Sequence, residues 1–366
     1  MCASKIYIVA PANVYTGGPT ALFQLCHTLN KYFDVNAVMV FTSLTKGLDP
    51  VHPNYRKYNC RWLPISKVED SPRNLLILPE TQPSLLRRFK TLRKVIYWLS
   101  VDNFFHSLRK LRALFFRDAL LYSLRYGWPH YEGLQNDVMH YIASKEALNA
   151  VNNPSKILRL IEKVELHIAQ SLYSRNFLVK LGVDKDKVLI VREPLEEEFL
   201  NANISFENRR DIVAFNARKA FSIVYKALSK MMQQNSNIKI IPLANVGKEG
   251  MLRILSNSKV FVDIGLHPGR DRPFREAGLL GNVVIVNRSG GCYYFEDCPI
   301  PDAYTIKCRS IACRDLSVNR LINLIIDCID NYEHHVANFQ KLREYLISEH
   351  ELYLKDLNKL LNNVLK

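Results

Sequence analysis

The chain has 366 residues, of which 48% are hydrophobic and 23% are charged, and its formal net charge is +15. This composition is that of a globular protein large enough for two domains, and it excludes a disordered or fibrous chain. No apolar run approaches the roughly 18 residues that span a membrane, and the first residues lack the pattern of a signal peptide. The positive charge predicts an anionic partner, which could be a nucleic acid, a membrane surface or a phosphorylated substrate.

The N-terminal part predicts a parallel α/β domain. The near-continuous apolar run Lys5–Pro11 is typical of a strand buried on both faces. It is followed by a loop with Gly17 and Gly18, then by an apolar-periodic helix beginning near Pro19. A strand–loop–helix–strand order implies a right-handed parallel unit. Further strands are predicted at Val35–Phe41, Asn74–Leu78, Lys94–Leu99, around Leu166–Ser171, and at Lys187–Val191.

Residues 86–126 form an insertion of a different composition. Ten of its residues are lysine or arginine, whereas its only acids are Asp102 and Asp118, and aromatic residues are interleaved with the basic ones. Such a basic amphipathic pattern is typical of segments that lie on an anionic membrane surface. A pair of core-packing helices with solvated arginines explains the pattern equally well.

A second series of alternating strands and helices begins near Arg210. Two such series predict two doubly wound α/β domains, and the polar stretch Glu196–Arg210 predicts the linker. The predicted domains are residues 1–203 and residues 204–335, followed by C-terminal helices over residues 336–366. The predicted strands are Asp211–Asn216, Ile238–Leu243, Lys259–Gly265 and Val283–Val286; the predicted helices are Ser222–Gln234, Gly250–Ser258 and Phe274–Gly281, with consecutive helices over Leu316–Lys366.

Eight cysteines are scattered along the chain. The densest group, Cys292, Cys298, Cys308 and Cys313, lacks the paired CxxC spacing of a zinc site. We therefore predict no metal site and reduced, mostly buried thiols, which favours a cytosolic protein.

Polar loops follow several strands, and ligands of open α/β sheets bind at the carboxyl ends of strands. In the first domain, Gly17 and Gly18 let the backbone come close to a ligand, although a tight structural turn explains them equally well. In the second domain, Arg218 and Lys219 stand where a loop becomes a helix, an arrangement that suits a diphosphate. Asn245 lies in a loop whose backbone groups could meet a nucleobase edge.

The most highly charged loop follows the predicted strand Lys259–Gly265. Arginines there can neutralise phosphate by bidentate hydrogen bonds, and Glu276, in the next helix, can accept hydrogen bonds from both hydroxyls of a ribose. A further Gly-Gly loop follows the strand Val283–Val286. Together these adjacent loops predict a site for a nucleotide sugar, formed by His267, Gly269, Arg270, Arg272, Glu276, Ser289, Gly290 and Gly291.

The stretch from His267 to Ala277, HPGRDRPFREA, resembles the HPGxDRxPREA loop of GT-B glycosyltransferases, most closely the bacterial capsule and lipopolysaccharide transferases. Leu78–Glu80, Tyr97–Phe105 and Pro299–Tyr304 are similar to the same group. The resemblance implies two Rossmann-like domains that face a central cleft, with C-terminal helices packing back toward the first domain. It implies transfer of a sugar from a nucleotide-sugar donor to a glycan or lipid-linked acceptor of a cell-surface polysaccharide.

Residue roles carry over where the motifs match. Glu276 corresponds to the carboxylate that binds the donor ribose, Arg218 and Lys219 to the basic pair on the donor phosphate, and Gly17 with Gly18 to the loop that closes over the donor. The first-domain acceptor side would include Glu80, Asp102 and His106. Pro268 stands where many relatives have an acid.

The catalytic carboxylate is left open by this departure. Asp271, Glu80 and Asp102 are the candidates for a base, a nucleophile or a ligand of the sugar hydroxyls. No DxD-type acidic pair is evident, so neither a metal nor another cofactor is expected. The protein would act in the cytoplasm, with the inner face of the plasma membrane as a further location.

Two other functions are compatible with the sequence. A nucleic-acid-binding protein would use the basic insertion, but the chain has no helix-turn-helix, RRM or zinc-finger pattern. A non-catalytic sugar-nucleotide binder would use the same loops without turnover.

Overall fold

The structure is a computed structural model that describes residues 5–44, 49–107, 131–235, 237–307 and 316–364, with side chains in the helix from residue 131 described from residue 135 onward. The chain forms two compact units. The first contains residues 1–104, 148–193 and 351–366, and the second contains residues 105–147 and 194–350. The stretch predicted as a linker, Glu196–Arg210, is therefore part of the second unit.

The first unit is built on a seven-stranded sheet with the strand order β3-β2-β1-β4-β5-β6-β7. Every pairing in it is parallel. The central strands β1, from Ile6 onward, and β4 are apolar and buried, as strands covered on both faces are. The strands are β1 (Lys5–Ala10), β2 (Asn36–Phe41), β3 (Trp62–Pro64), β4 (Leu75–Pro79), β5 (Arg93–Trp98), β6 (Leu166–Ala169) and β7 (Val188–Ile190), and the helices up to this point in the chain are α1 (Gly17–Tyr32), α2 (Val101–Ser107), α3 (Tyr131–Asn152), α4 (Ser155–Ile161) and α5 (Leu172–Leu181).

The second unit is built on a five-stranded sheet with the order β12-β11-β10-β8-β9, again parallel at every pairing. Its strands are β8 (Arg210–Phe215), β9 (Lys239–Pro242), β10 (Ser258–Asp263), β11 (Val283–Asn287) and β12 (Thr305–Ile306), and the remaining helices are α6 (Glu197–Leu200), α7 (Ser222–Gln234), α8 (Lys248–Asn257), α9 (Arg272–Leu279), α10 (Val318–Asp330), α11 (Tyr332–Ala337) and α12 (Gln340–Val364).

The C-terminal helix α12 contributes to both cores. Leu342 and Leu346 lie in the core of the second unit. Farther along the same helix, Tyr353, Leu357 and Leu360 lie in the core of the first unit. The predicted return of the C-terminal helices to the first domain is thereby confirmed, and both halves of α12 are held by apolar burial.

The fold confirms the predicted strands, which correspond to β1, β2 and β4 to β11, and the predicted helices, which correspond to α1 and α7 to α12; helices α3 to α6 and strand β12 were not predicted. The short edge strand β3 was not predicted, because three residues are too few to show a periodicity. Most of the basic insertion, residues 108–130, lies outside the described residues. No helix of the described part is long and apolar enough to cross a membrane.

The prediction that all cysteines are reduced is wrong for one pair. Cys292 and Cys298 form a disulfide in the loop that follows β11. The two residues are six positions apart, and a 3₁₀ turn at Gly290–Cys292 brings their side chains together. Within the described ranges, Cys26, Cys60 and Cys328 are free thiols.

Candidate functional site

The second sheet changes direction between β8 and β10. From β8 the chain passes to β9 on one side and then returns to β10 on the other side. At such a switch point the loops after the two strands diverge and leave a crevice at their carboxyl ends. Lys219 follows β8, while His267 and Asp271 follow β10. The topology therefore brings together the loops that the sequence analysis selected.

Five residues form a connected, largely buried chain at this point. The Lys219 ammonium forms an ion pair with Oδ1 of Asp271. The other oxygen, Oδ2, lies 3.2 Å from Nδ1 of His267, and Nε2 of His267 lies 2.9 Å from the carbonyl oxygen of Asp263. Asp263 accepts a hydrogen bond of 3.0 Å from the amide of Asn216. Two of these links, Lys219–Asp271 and Asn216–Asp263, join the residues after β8 to β10 and the loop that follows it.

The ionisable groups of this cluster shift one another's pKa values. Burial lowers the pKa of His267, but the carboxylates of Asp263 and Asp271 outweigh it, so the pKa is raised. Burial raises the pKa of Asp271, yet Lys219 and His267 outweigh it, so this pKa is lowered. Burial raises the pKa of Asp263 and outweighs the opposing effects of His267 and Lys219. At neutral pH, Asp271 is a carboxylate held between the Lys219 ammonium and the His267 ring.

Glycines allow the loops to approach one another closely. Gly265 pairs with Ala220 in an isolated antiparallel bridge, and a Cβ on Gly265 would overlap the carbonyl oxygen of Lys219. A Cβ on Gly290, which has a φ of 51°, would overlap the carbonyl oxygen of His267. Gly291 meets the carbonyl oxygen of Gly269 in the same way. The Gly-Gly loop thus packs against the loop after β10.

Glu276 lies on α9 at the same edge of the sheet. Its side chain is buried, and burial raises its pKa to about 7 against the opposing effect of Arg272. Within the described ranges, no protein group donates a hydrogen bond to its carboxylate. Nearby, Glu196 accepts from Lys248 at 2.7 Å and pairs with Arg272 at 3.2 Å. Glu276 is therefore a buried carboxylate whose hydrogen-bonding capacity remains for a ligand.

Arg270 is held by the C-terminal helix. Its guanidinium pairs with Glu349, as does that of Arg275, and the side chains of all three are 1% exposed. Tyr345 lies 3.1 Å from the Arg270 guanidinium through its hydroxyl. Arg270 therefore anchors the loop after β10 to α12. The sequence analysis missed Glu349, because a partner 79 residues away leaves no local pattern.

The remaining predicted residues of this site lie at the same edge with different exposure. Arg218 is exposed and Lys219 is half-buried. Asn245 is exposed, with a φ of 53°, in the loop after β9. Ser289 is buried and accepts a hydrogen bond from the amide of Asn287, whose oxygen in turn accepts from Gly265 N–H at 2.7 Å.

The first unit has a comparable edge. Its sheet changes direction between β1 and β4, so the loops after these strands flank a crevice. Gly17 begins α1, and a Cβ there would meet nothing within 4 Å, so packing does not require glycine. Gly18 is similar, with its nearest neighbour, Leu99, at 3.6 Å. Neither glycine carries a side chain that would keep a ligand away from the backbone.

Two predicted carboxylates lie at that edge. Glu80 follows β4, its Oε2 accepts from Leu99 N–H at 2.9 Å, and burial raises its pKa to about 8. Asp102 begins α2 and accepts from the Tyr173 hydroxyl at 3.3 Å. Glu193, which was not predicted, is also buried and accepts from Gln170 at 2.8 Å.

In the part of the chain that the structure describes, no group of three or more histidine, cysteine, aspartate or glutamate side chains is placed to hold a metal ion.

Two doubly wound parallel sheets with a shared C-terminal helix define the GT-B fold, the fold of many nucleotide-sugar glycosyltransferases. No protein-family model and no curated protein matches the chain by sequence. Among solved structures, HepE of Anabaena in complex with UDP-glucose matches with a TM-score of 0.61 at 11% identity, covering 97% of this chain and 99% of that one.

Two further structures match over nearly their whole length. Sucrose-phosphate synthase of Thermosynechococcus elongatus has a TM-score of 0.58 at 14% identity, covering 99% of each chain. The lipopolysaccharide outer core galactosyltransferase WaaB, in its apo form, has a TM-score of 0.54 at 11% identity, covering 97% of this chain and 98% of that one. The predicted GT-B fold is confirmed.

Proposed function

We propose that the protein is a glycosyltransferase that moves a sugar from a nucleoside-diphosphate sugar to an acceptor hydroxyl. The observation that carries this proposal is the pairing of two features at one sheet edge. Glu276 is a buried carboxylate with no hydrogen-bond donor among the described protein groups, and Lys219 is a half-buried cation at the switch point. A nucleotide sugar has a ribose diol for the first and a diphosphate for the second.

The chemistry of transfer suits these groups. The bond between the anomeric carbon and the phosphate oxygen breaks, the acceptor oxygen bonds to that carbon, and the acceptor proton passes to a base. Negative charge accumulates on the leaving phosphate, where Lys219 and Arg218 would stabilise it. A fixed cation in a partly buried site is effective because little water screens it.

Asp271 is better suited to holding Lys219 than to accepting a proton. Both of its oxygens are engaged, one by Lys219 and one by His267. Since Lys219 and His267 lower the pKa of Asp271, its carboxylate is a weak base. Glu80, whose pKa burial raises to about 8, is the stronger base candidate, and Asp102 is the alternative. We assign both of these to the acceptor side.

The acceptor and the cellular setting are proposals that the sequence motifs support. We propose a glycan or lipid-linked acceptor in the synthesis of a cell-surface polysaccharide, with the reaction on the cytoplasmic side of the membrane. Support comes from the HPGRDRPFREA stretch and from the whole-chain likeness to a lipopolysaccharide outer core galactosyltransferase. The structure of HepE with UDP-glucose favours UDP as the first nucleotide to test.

The proposal is tested with the full-length chain by calorimetric titration and donor hydrolysis. UDP, GDP, dTDP and CMP are titrated into the protein, and the release of each nucleotide from its nucleotide sugar is followed. We expect one nucleotide to bind, Glu276→Gln to weaken that binding on the order of tenfold or more, and Lys219→Met to lower turnover by about 10²-fold.

Lys226→Met is the matched control, because Lys226 is a lysine on the exposed side of α7. It should behave like the wild type. If the wild-type protein binds none of these nucleotides and hydrolyses none of the sugars, the proposed function is refuted. Binding without any turnover on a range of acceptors would favour the non-catalytic sugar-nucleotide binder.

A further inference from the structure

Helix α3 packs against the loop that carries Arg218 and Lys219. Residues 131–147 of α3 belong to the second unit, as this loop does, although they stand about 80 residues earlier in the chain. The side-chain amide of Asn136 donates to the carbonyl oxygen of Ala220 at 3.0 Å and to that of Arg218 at 3.3 Å. Two hydrogen bonds from one buried amide thus bracket Lys219 on both sides along the backbone.

The next residue of α3 binds the start of α7. Asp137 Oδ2 accepts from the Ser222 hydroxyl at 2.6 Å, and Oδ1 accepts from Ser222 N–H at 3.3 Å. Asp137 is fully buried. One turn farther along α3, the ring of His140 lies 5.4 Å from that of Phe221, measured between centroids. One face of α3, residues 136, 137 and 140, therefore follows the loop from Arg218 to Ser222.

The contact between Asp137 and Ser222 changes which groups of the loop can bind an anion. The sequence predicts that the N-terminus of α7 adds to a phosphate cradle, because free N–H groups and the helix dipole attract negative charge. The Asp137 carboxylate already occupies that position. An incoming phosphate must then be bound by the side chains of Arg218 and Lys219, so its affinity depends on how well the backbone beneath them is fixed.

We propose that Asn136 and Asp137 are positioning residues for phosphate recognition. They hold the loop between β8 and α7 so that Arg218 and Lys219 face the donor, and neither touches the donor itself. The inference rests on the proposed donor site. It assigns to α3, a helix outside both strand–helix series, the task of setting the geometry of the basic pair.

The test compares a nucleoside diphosphate with its own nucleoside. UDP, GDP and dTDP are titrated into the 366-residue chain, and so are uridine, guanosine and thymidine. The Kd of each nucleoside divided by the Kd of its diphosphate gives the contribution of the phosphates to binding. A general loss of structure weakens both ligands, whereas a displaced loop weakens only the diphosphate. We expect Asn136→Ala and Asp137→Ala to reduce the ratio about tenfold, since each removes a pair of hydrogen bonds that fixes the loop.

Two controls accompany these variants. Asn149→Ala removes an exposed asparagine of the same helix and should leave the ratio unchanged. Ser222→Ala removes only the hydroxyl partner of Asp137, should fold normally, and should reduce the ratio less. Combined with Asp137→Ala, it should add no further loss, because both act through one contact.

The outcomes separate the two proposals. If the wild type discriminates a diphosphate from its nucleoside and Asn136→Ala and Asp137→Ala keep the full ratio, the positioning role is refuted while the donor site stands. If the wild type binds no diphosphate more tightly than its nucleoside, the donor site is refuted and the positioning role with it.

Discussion

Glu276→Gln is predicted to stabilise the protein at high pH while it impairs the site. Burial raises the pKa of Glu276 from 4.5 to about 7. The unfolded chain therefore loses its proton at a lower pH than the folded protein does. As pH rises from about 4.5 to about 7, ionisation favours the unfolded state, and above this range the cost is fully present.

The size of the effect follows from the two pKa values. A tenfold difference in proton affinity corresponds to about 1.4 kcal/mol, so a pKa raised from 4.5 to about 7 costs the folded state about 3 kcal/mol at pH 8. Glutamine has the same shape and carries no charge, and it removes this cost. For a folded unit of about 200 residues, 1 kcal/mol shifts Tm by about 2–4 °C.

The assay is thermal unfolding of wild type and variant at pH 5 and at pH 8. We expect the variant's advantage in Tm to be small at pH 5 and to grow to several degrees at pH 8, because about 2 kcal/mol of the cost appears between these values. Taking the difference between the two proteins removes the contribution of other titrating groups, including Glu80. An advantage that is equal at both pH values, or a variant less stable at pH 8, would refute the account of Glu276 as a buried carboxylate without protein donors.

Two further predictions concern the loops and the C-terminal helix. Gly265→Ala should destabilise the protein by about 1–3 kcal/mol, because its Cβ would overlap the carbonyl oxygen of Lys219. Gly17→Ala should be nearly neutral, because nothing lies within 4 Å of a Cβ at that position. Urea unfolding measures both variants, and equal effects would contradict the loop packing. Glu349→Gln should lower the free energy of unfolding by about 3–5 kcal/mol, because two buried arginines lose their shared carboxylate. Glu344→Gln, on the exposed side of α12, should change it very little. An unchanged Tm for the first variant would show that the buried pairs do not stabilise the fold.

The fold was largely predictable because its signals are local. The runs over residues 6–10 and 283–286 are apolar at every position, which identifies strands covered on both faces. Alternation of such strands with periodic helices then dictates parallel pairing. The carboxyl ends of parallel strands share one edge, so the sequence also indicated which loops meet: those carrying Lys219, Asp271 and Gly290.

The sequence by itself determined which residue types stand at that edge; the tertiary structure decided what each of them binds. Arg270 has the chemistry of a phosphate ligand, yet it pairs with Glu349, and the helix start beside Lys219 is bound by Asp137. Periodicity extends over a few residues, whereas these contacts join positions 79 and 85 residues apart. A buried charge takes the partner that the packed chain brings to it, and only the folded structure shows that Glu276 is buried without a hydrogen-bond donor among the described protein groups.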